Sequence, residues 1–353
     1  MARDISFASF NLYNLQVPET ATRLGATMFS EDTYQRRLQW ASTILRQMDA
    51  DVIAFQELWS AQALRDLFMI AGLDSQYELH FIGDRWYDIA VAAAVRRPWR
   101  VRETMLHKSF PDGFRLIKRR HGAAGADEER TDDDIDVQIN LFSRTVMQLT
   151  LTRDEPDVPD VEALCAHLKS KLSTTLDPVE ARNDALKPHR AALGAALSTI
   201  RRTAEAAALR MIVTNLTKAT ERAVVVVGDL NDGAHSNTVS LLSAQPPFRR
   251  HRKSRVGGAS DIGLYPVTFL QALSDFQDVS YTHLYQGVRE QLDHVLVSEQ
   301  FYDHSRNRVW SYKEQQVWND HLDEGGPTGP ERATSDHGIV CARFLWDPAD
   351  RQP

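Results

Sequence analysis

Four consecutive valines running straight into acids constrain this chain more than any other feature: Ala223 to Asp232 reads AVVVVGDLND. A short β-branched run bounded by polar Thr220 and Glu221 and by Gly228 predicts a strand buried on both faces. Such a strand needs a layer packed on each side. Where it ends, Asp229 and Asn231 stand two positions apart, the spacing that sends two side chains to one face of extended backbone. Chemistry is expected there.

The same reading finds other short apolar strands that end in polar groups. Ile5 to Phe10 is a strand that delivers Asn11, with Asn14 close behind. Asp51 to Phe55 ends in Gln56 and Glu57. Trp86 to Val95 is read as a strand carrying Asp88, an acid that needs a partner there. Leu141 to Leu151 and Val161 to Leu168 read as paired strands, the second placing His167 on the face of Val161 and Cys165. Asp293 lies in QLDHVLVS, and Asp336 and His337 immediately precede a final strand. Between these runs, residues 31–49 place Tyr34, Leu38, Ser42, Leu45 and Met48 at helical spacing. Residues 61–71 predict a second helix closed by Gly72, and the alanine-rich residues 187–217 a third. Taken singly, each polar residue has an ordinary structural explanation as a turn or a satisfied core group. Taken together, they are expensive at buried strand ends unless they converge at one mouth.

Composition narrows the class. A 353-residue chain that is 42% hydrophobic and 25% charged can bury a sizeable core, and its net charge of -7 excludes a protein that simply coats nucleic acid. Local basic runs persist: Lys118 to His121, and Arg249 to Arg255 with five Lys or Arg in seven positions. Cys165 and Cys341 lie in apolar runs and are expected to be buried thiols; neither a disulfide framework nor a zinc pattern is present. No signal peptide or run of about 18 apolar residues is visible, so a soluble cytoplasmic protein without a membrane span is expected. There is no internal repeat and no clear linker. The reading is one domain over 1–353, with insertions near 107–136 and 233–265, the former a solvated excursion.

Six segments in order, SFNLYNL, FQE, AHLKS, GDLND, LDHVLVS and SDH, carry a resemblance to the endonuclease/exonuclease/phosphatase superfamily across residues 5–344. The resemblance implies a deoxyribonuclease-I-like, four-layered α/β/β/α sandwich of two packed mixed sheets, with the site at one end. It also implies a Mg²⁺-dependent phosphoesterase, with Mn²⁺ as a substitute. Carried over by position, Asn11, Glu57 and Asp336 stand at the metal. Asp229 looks like the residue that positions or deprotonates water, and Asn231 like a donor to the phosphoryl oxygens. His337 would contact phosphate or water with Asp293 holding its tautomer; His167 would be a second imidazole at the phosphate, oriented by Asp88. Members resembling YTHLYQGVREQLDHVLVS are nucleases, so DNA or RNA is the first expected substrate, with Arg250, Arg252 and Lys253 as backbone contacts. A phosphatase or phosphodiesterase acting on a small molecule or lipid headgroup is the alternative. A non-catalytic scaffold is disfavoured, because every expected catalytic residue type is present. No protein partner can be inferred.

Overall fold

The computed structural model describes residues 3–18, 30–84, 86, 88–118, 134–248, 262–275, 280–324 and 329–349. Two six-stranded mixed sheets form its centre. In chain order the strands of the first half are β1 (Ile5–Leu15), β2 (Val52–Leu58), β3 (Tyr77–Phe81), β4 (Ala90–Arg96), β5 (Arg100–Ser109), β6 (Leu116–Lys118), β7 (Ile135–Val137) and β8 (Leu141–Thr152). The second half supplies β9 (Val161–His167), β10 (Ala223–Asp229), β11 (Tyr265–Pro266), β12 (His283–Tyr285), β13 (Val288–Glu290), β14 (Asp293–Val297), β15 (Trp310–Trp318) and β16 (Ile339–Trp346). The first sheet runs β15-β16-β1-β2-β4-β3 and the second β11-β14-β10-β9-β8-β5.

Side-chain alternation sorts these strands into layers. In β10, Ala223, Val225 and Val227 pack between the sheets with Phe7, Val52, Val91 and Phe344 of the opposite sheet. Val224 and Val226 turn the other way, under the long helix α4 (Arg190–Thr217). The four valines are therefore buried on both faces, as their run demands. On the outer side of the first sheet, Phe10, Ile53, Phe55 and Cys341 meet helices α1 (Glu31–Met48) and α2 (Ala61–Ala71). The second sheet is covered by α4 (Arg190–Thr217), which follows the short α3 (Pro178–Arg182). The result is the expected α/β/β/α sandwich.

Local signals set the helix ends. Ser30 accepts from the Thr33 backbone N–H to cap α1, whose first turn holds Glu31 and Asp32. Ser60 caps α2 in the same way, and Gly72 closes it in the left-handed region. Both cysteines are buried, and burial pushes their thiols up to about 12.

Three expectations change. The strand read as Trp86 to Val95 starts at Ala90, leaving Asp88 ahead of it. Residues 107–136 are not wholly an excursion, since β5 continues to Ser109 and β6 pairs with β7. The alanine-rich helix begins at Arg190 rather than 187. The run 249–255 and residues 119–121 lie outside the described residues. Among the described residues, no helix is long and apolar enough to cross a membrane.

Candidate active site

Register builds the site. Asp229 lies opposite His167 across the parallel β9–β10 pair and opposite Asp293 across the antiparallel β10–β14 pair. All three continue the apolar rows that face the other sheet, so they emerge together where the sandwich core ends. Gly228 makes the close pairing possible. Its φ is +147°, and a Cβ there would overlap the Ala166 carbonyl of β9.

The opposite sheet supplies the facing wall. Asn11 lies on the same side of β1 as Phe7, and its amide donates to Asp229 Oδ2 at 3.2 Å. Its own Oδ1 accepts from the Tyr13 backbone at 2.9 Å. Strict alternation along β2 would send Glu57 outward with Ile53 and Phe55. A register irregularity between Phe55 and Leu58, with Glu57 at φ +57°, turns it instead toward Asn11, with which it shares a hydrogen bond. A non-glycine residue held in that region is uncommon and persists where surrounding structure imposes it.

Two imidazoles face Asp229. His337 Nε2 lies 3.8 Å and His167 Nε2 3.5 Å from its Oδ2. His337 Nδ1 is 2.8 Å from Asp293 Oδ2, and Asp293 is itself steadied by Thr282, whose Oγ1 accepts from its backbone N–H at 3.1 Å. Ser335 ties this loop to the first sheet. Its hydroxyl donates to the Asn11 carbonyl at 2.8 Å and accepts from the His337 N–H at 2.9 Å. Asn231 stands at φ +53°, donates its backbone N–H to Asp229 Oδ1 at 2.8 Å, and points its amide at the Leu168 carbonyl at 3.0 Å.

The charges are strongly coupled. Burial, followed by the neighbouring Asp293 and Glu57, raises Asp229 above the usual carboxylate range despite relief from His337. Burial and Asp336 raise Glu57 in the same way. Burial would by itself lower His337, but Asp293, Asp229 and Asp336 outweigh it and hold the ring well above its ordinary value. His167 moves in the opposite direction, because burial and then Arg144 disfavour its charged form. The pair therefore divides the work: a charged imidazole at position 337 and a neutral one at 167.

A divalent cation fits this environment. Asp336 makes it costlier to keep Glu57 ionised, and Asp336 Oδ1 is buried without a hydrogen-bond partner. A hard cation would satisfy both conditions with oxygen ligands. The tight ligand groupings among the described residues are Asp229, Asp293, His337 and His283, Asp336, His337, each within 4.8 Å. Glu57 stands outside both and couples to them through Asp336 and His337.

Asp88 does not fill the place assigned to it. It is exposed, with its carboxylate on the N–H of Ile89, while His167 Nδ1 is buried without a hydrogen-bond partner. It belongs to the exposed loop ahead of β4. Arg250, Arg252 and Lys253 lie outside the described residues. Two neighbours escaped sequence reasoning. Arg144 donates to the Leu168 carbonyl at 3.0 Å and acts electrostatically on both Glu57 and His167. The signal for it was a lone arginine inside the apolar β8. His283 is brought beside His337 by an isolated bridge, with ring centroids 5.2 Å apart, and no local pattern announces it.

A family model described as the Endonuclease/Exonuclease/phosphatase family matches residues 8–337. The chain belongs to that family. Solved structures share the fold at low identity. The endonuclease/exonuclease/phosphatase from Bacteroides vulgatus has a TM-score of 0.53 and 15% identity, covering 98% of this chain and 99% of that one. The mannosyl-6-phosphatase Bt3783 of Bacteroides thetaiotaomicron gives 0.52 and 12%, covering 97% and 100%. A humanized Danio rerio TDP2 gives 0.50 and 13%, covering 97% and 98%. No protein of curated function matches the sequence.

Proposed function

We propose that this family member is a Mg²⁺-dependent phosphodiester hydrolase, a nuclease cleaving DNA or RNA by in-line attack of water. The observation carrying the reading is the row His167, Asp229, Asp293 in register on three neighbouring strands, closed from the other sheet by Asn11 and from the last loop by His337. Asp229, held by Asn11 and the Asn231 backbone, accepts the proton of the attacking water. Its raised affinity for a proton suits it to that task near neutrality. His337, kept protonated and oriented by Asp293, donates from Nε2 to a phosphoryl oxygen. Asn231 and the neutral His167 donate to the same developing charge. Glu57 and Asp336, with Asn11 beside them, would hold the cation. When bound it neutralises the phosphate and assists the leaving oxygen.

One observation favours the alternative, a phosphatase or phosphodiesterase for a small molecule or lipid headgroup. Lys171 on the rim is already engaged by Glu290 at 2.8 Å and Asp232 at 3.6 Å, and Arg202 by Asp232 at 3.2 Å. A polynucleotide would then rely on the basic run 249–255. The deciding assay offers plasmid DNA, RNA, a bis-aryl phosphodiester and phosphoinositides with Mg²⁺ or Mn²⁺. Cleavage of nucleic acid, reduced far more than aryl diester turnover by reversing the charges of Arg250 and Arg252, supports the nuclease. Equal losses on both substrates count against it.

A further inference from the structure

We propose that His283, Asp336 and His337 form a second cation position with mixed nitrogen and oxygen donors, one that takes a transition-metal dication such as Zn²⁺ over Mg²⁺ and blocks hydrolysis when filled.

Three features converge on this position. One ligand atom from each residue lies within 4.8 Å of the others. Four-coordinate zinc with nitrogen and oxygen ligands at about 2 Å holds them roughly 3.4 Å apart, so small side-chain rotations close the set. Two polar atoms of this trio, His283 Nδ1 and Asp336 Oδ1, are buried without hydrogen-bond partners, a costly arrangement that an ion would relieve. The third residue already has the outer contact of a metal-bound imidazole. His337 gives Nδ1 to the Asp293 carboxylate at 2.8 Å, which fixes the ring and leaves Nε2 as the available donor. The antiparallel bridge between His283 and His337, with the Gly338 N–H donating to the Thr282 carbonyl at 2.6 Å, holds the two rings at one place.

Donor chemistry sets the preference. Two imidazoles and one carboxylate suit Zn²⁺, Co²⁺ or Ni²⁺, whereas Mg²⁺ favours oxygen and retains its waters. The inhibitory part rests on the phosphoesterase reading: to bind an ion, His337 Nε2 must first release its proton to solvent, and it then cannot donate to a phosphoryl oxygen. A carboxylate has two oxygens, so Asp336 can serve both this position and the one beside Glu57.

Calorimetric titration of Zn²⁺ into the full chain saturated with Mg²⁺ tests the site without reference to turnover. One Zn²⁺ per chain is expected, bound at least about ten-fold more weakly by His283→Gln. Absence of binding under Mg²⁺, or unchanged binding by the variant, overturns the site. If His283→Gln does not fold, histidine NMR of the wild type with Co²⁺ decides: paramagnetic shifts of both the His283 and His337 rings uphold the site, and their absence from either ring overturns it. Mg²⁺-supported hydrolysis on the same preparation reports separately. Protein that binds Zn²⁺ through His283 but hydrolyses nothing keeps the site and loses the phosphoesterase reading; undiminished hydrolysis with Zn²⁺ bound overturns the inhibitory part.

Discussion

Asp229 and Asp293 face each other directly across β10 and β14, two acids side by side at the end of apolar rows formed by Ala223, Val225 and Val227 on one strand and Val295 and Val297 on the other. Like charges so placed are tolerated because each has its own compensation: Asn11 and the Asn231 N–H for Asp229, and the His337 ring and Thr282 for Asp293. The arrangement trades stability for reactivity.

That trade can be measured by replacing Asp229 with Asn. An unfolded Asp titrates near ~4, whereas the folded group is raised, so folding takes up a proton between the two values and stability falls as pH climbs through that window. At pH 8 with metal chelated, Asp229→Asn is expected to melt roughly 2 °C or more above wild type, the gap closing toward pH 4. Its hydrolysis should drop by about 10²-fold or more. A variant that melts lower at pH 8 contradicts the burial cost assigned to this carboxylate.

Activity should follow a bell in pH. The acid limb reports ionisation of Asp229 and lies above the ordinary carboxylate range; the alkaline limb reports loss of the His337 proton and lies above the ordinary imidazole range. Asp293→Asn removes the strongest of the carboxylates that raise His337, so the alkaline limb should move to lower pH, and the acid limb should move the same way because Asp293 also raises Asp229. An immobile alkaline limb would assign it to another group.

Chelation addresses the cation. Dialysis against EDTA is expected to abolish turnover, with recovery on adding Mg²⁺ or Mn²⁺ and a far weaker recovery in Glu57→Gln. Full activity in the chelated protein rejects a metal requirement.

Gly228→Ala probes the strand contact that holds His167 beside Asp229. The new methyl meets the Ala166 carbonyl, at a φ that side chains avoid, so a loss on the order of 3 kcal/mol or more is expected from urea denaturation. An unchanged midpoint would show that β9 can yield there.

Asp88→Ala, in contrast, should keep turnover within about two-fold of wild type, as an exposed loop substitution does. Losses matching those of His167→Ala would restore Asp88 as its partner. The contrast between these two acids shows how far the sequence could be trusted. Asp88 and Glu57 both follow or precede apolar strands, and nothing local separates the acid that enters the site from the one that stays in solvent.

Period-two alternation is a local property, and it determined much of what matters here. It marked β10 as doubly buried and put His167 on the face of Val161 and Cys165, a face that the structure turns between the sheets. Caps did the same for the ends of α1 and α2. Which strands became neighbours was decided only by the tertiary structure, because hydrogen bonds such as Asn11 to Asp229 join positions 218 apart. The irregularity that swings Glu57 inward, and the bridge that sets His283 beside His337, have the same origin: they exist only when another strand is there to pair against.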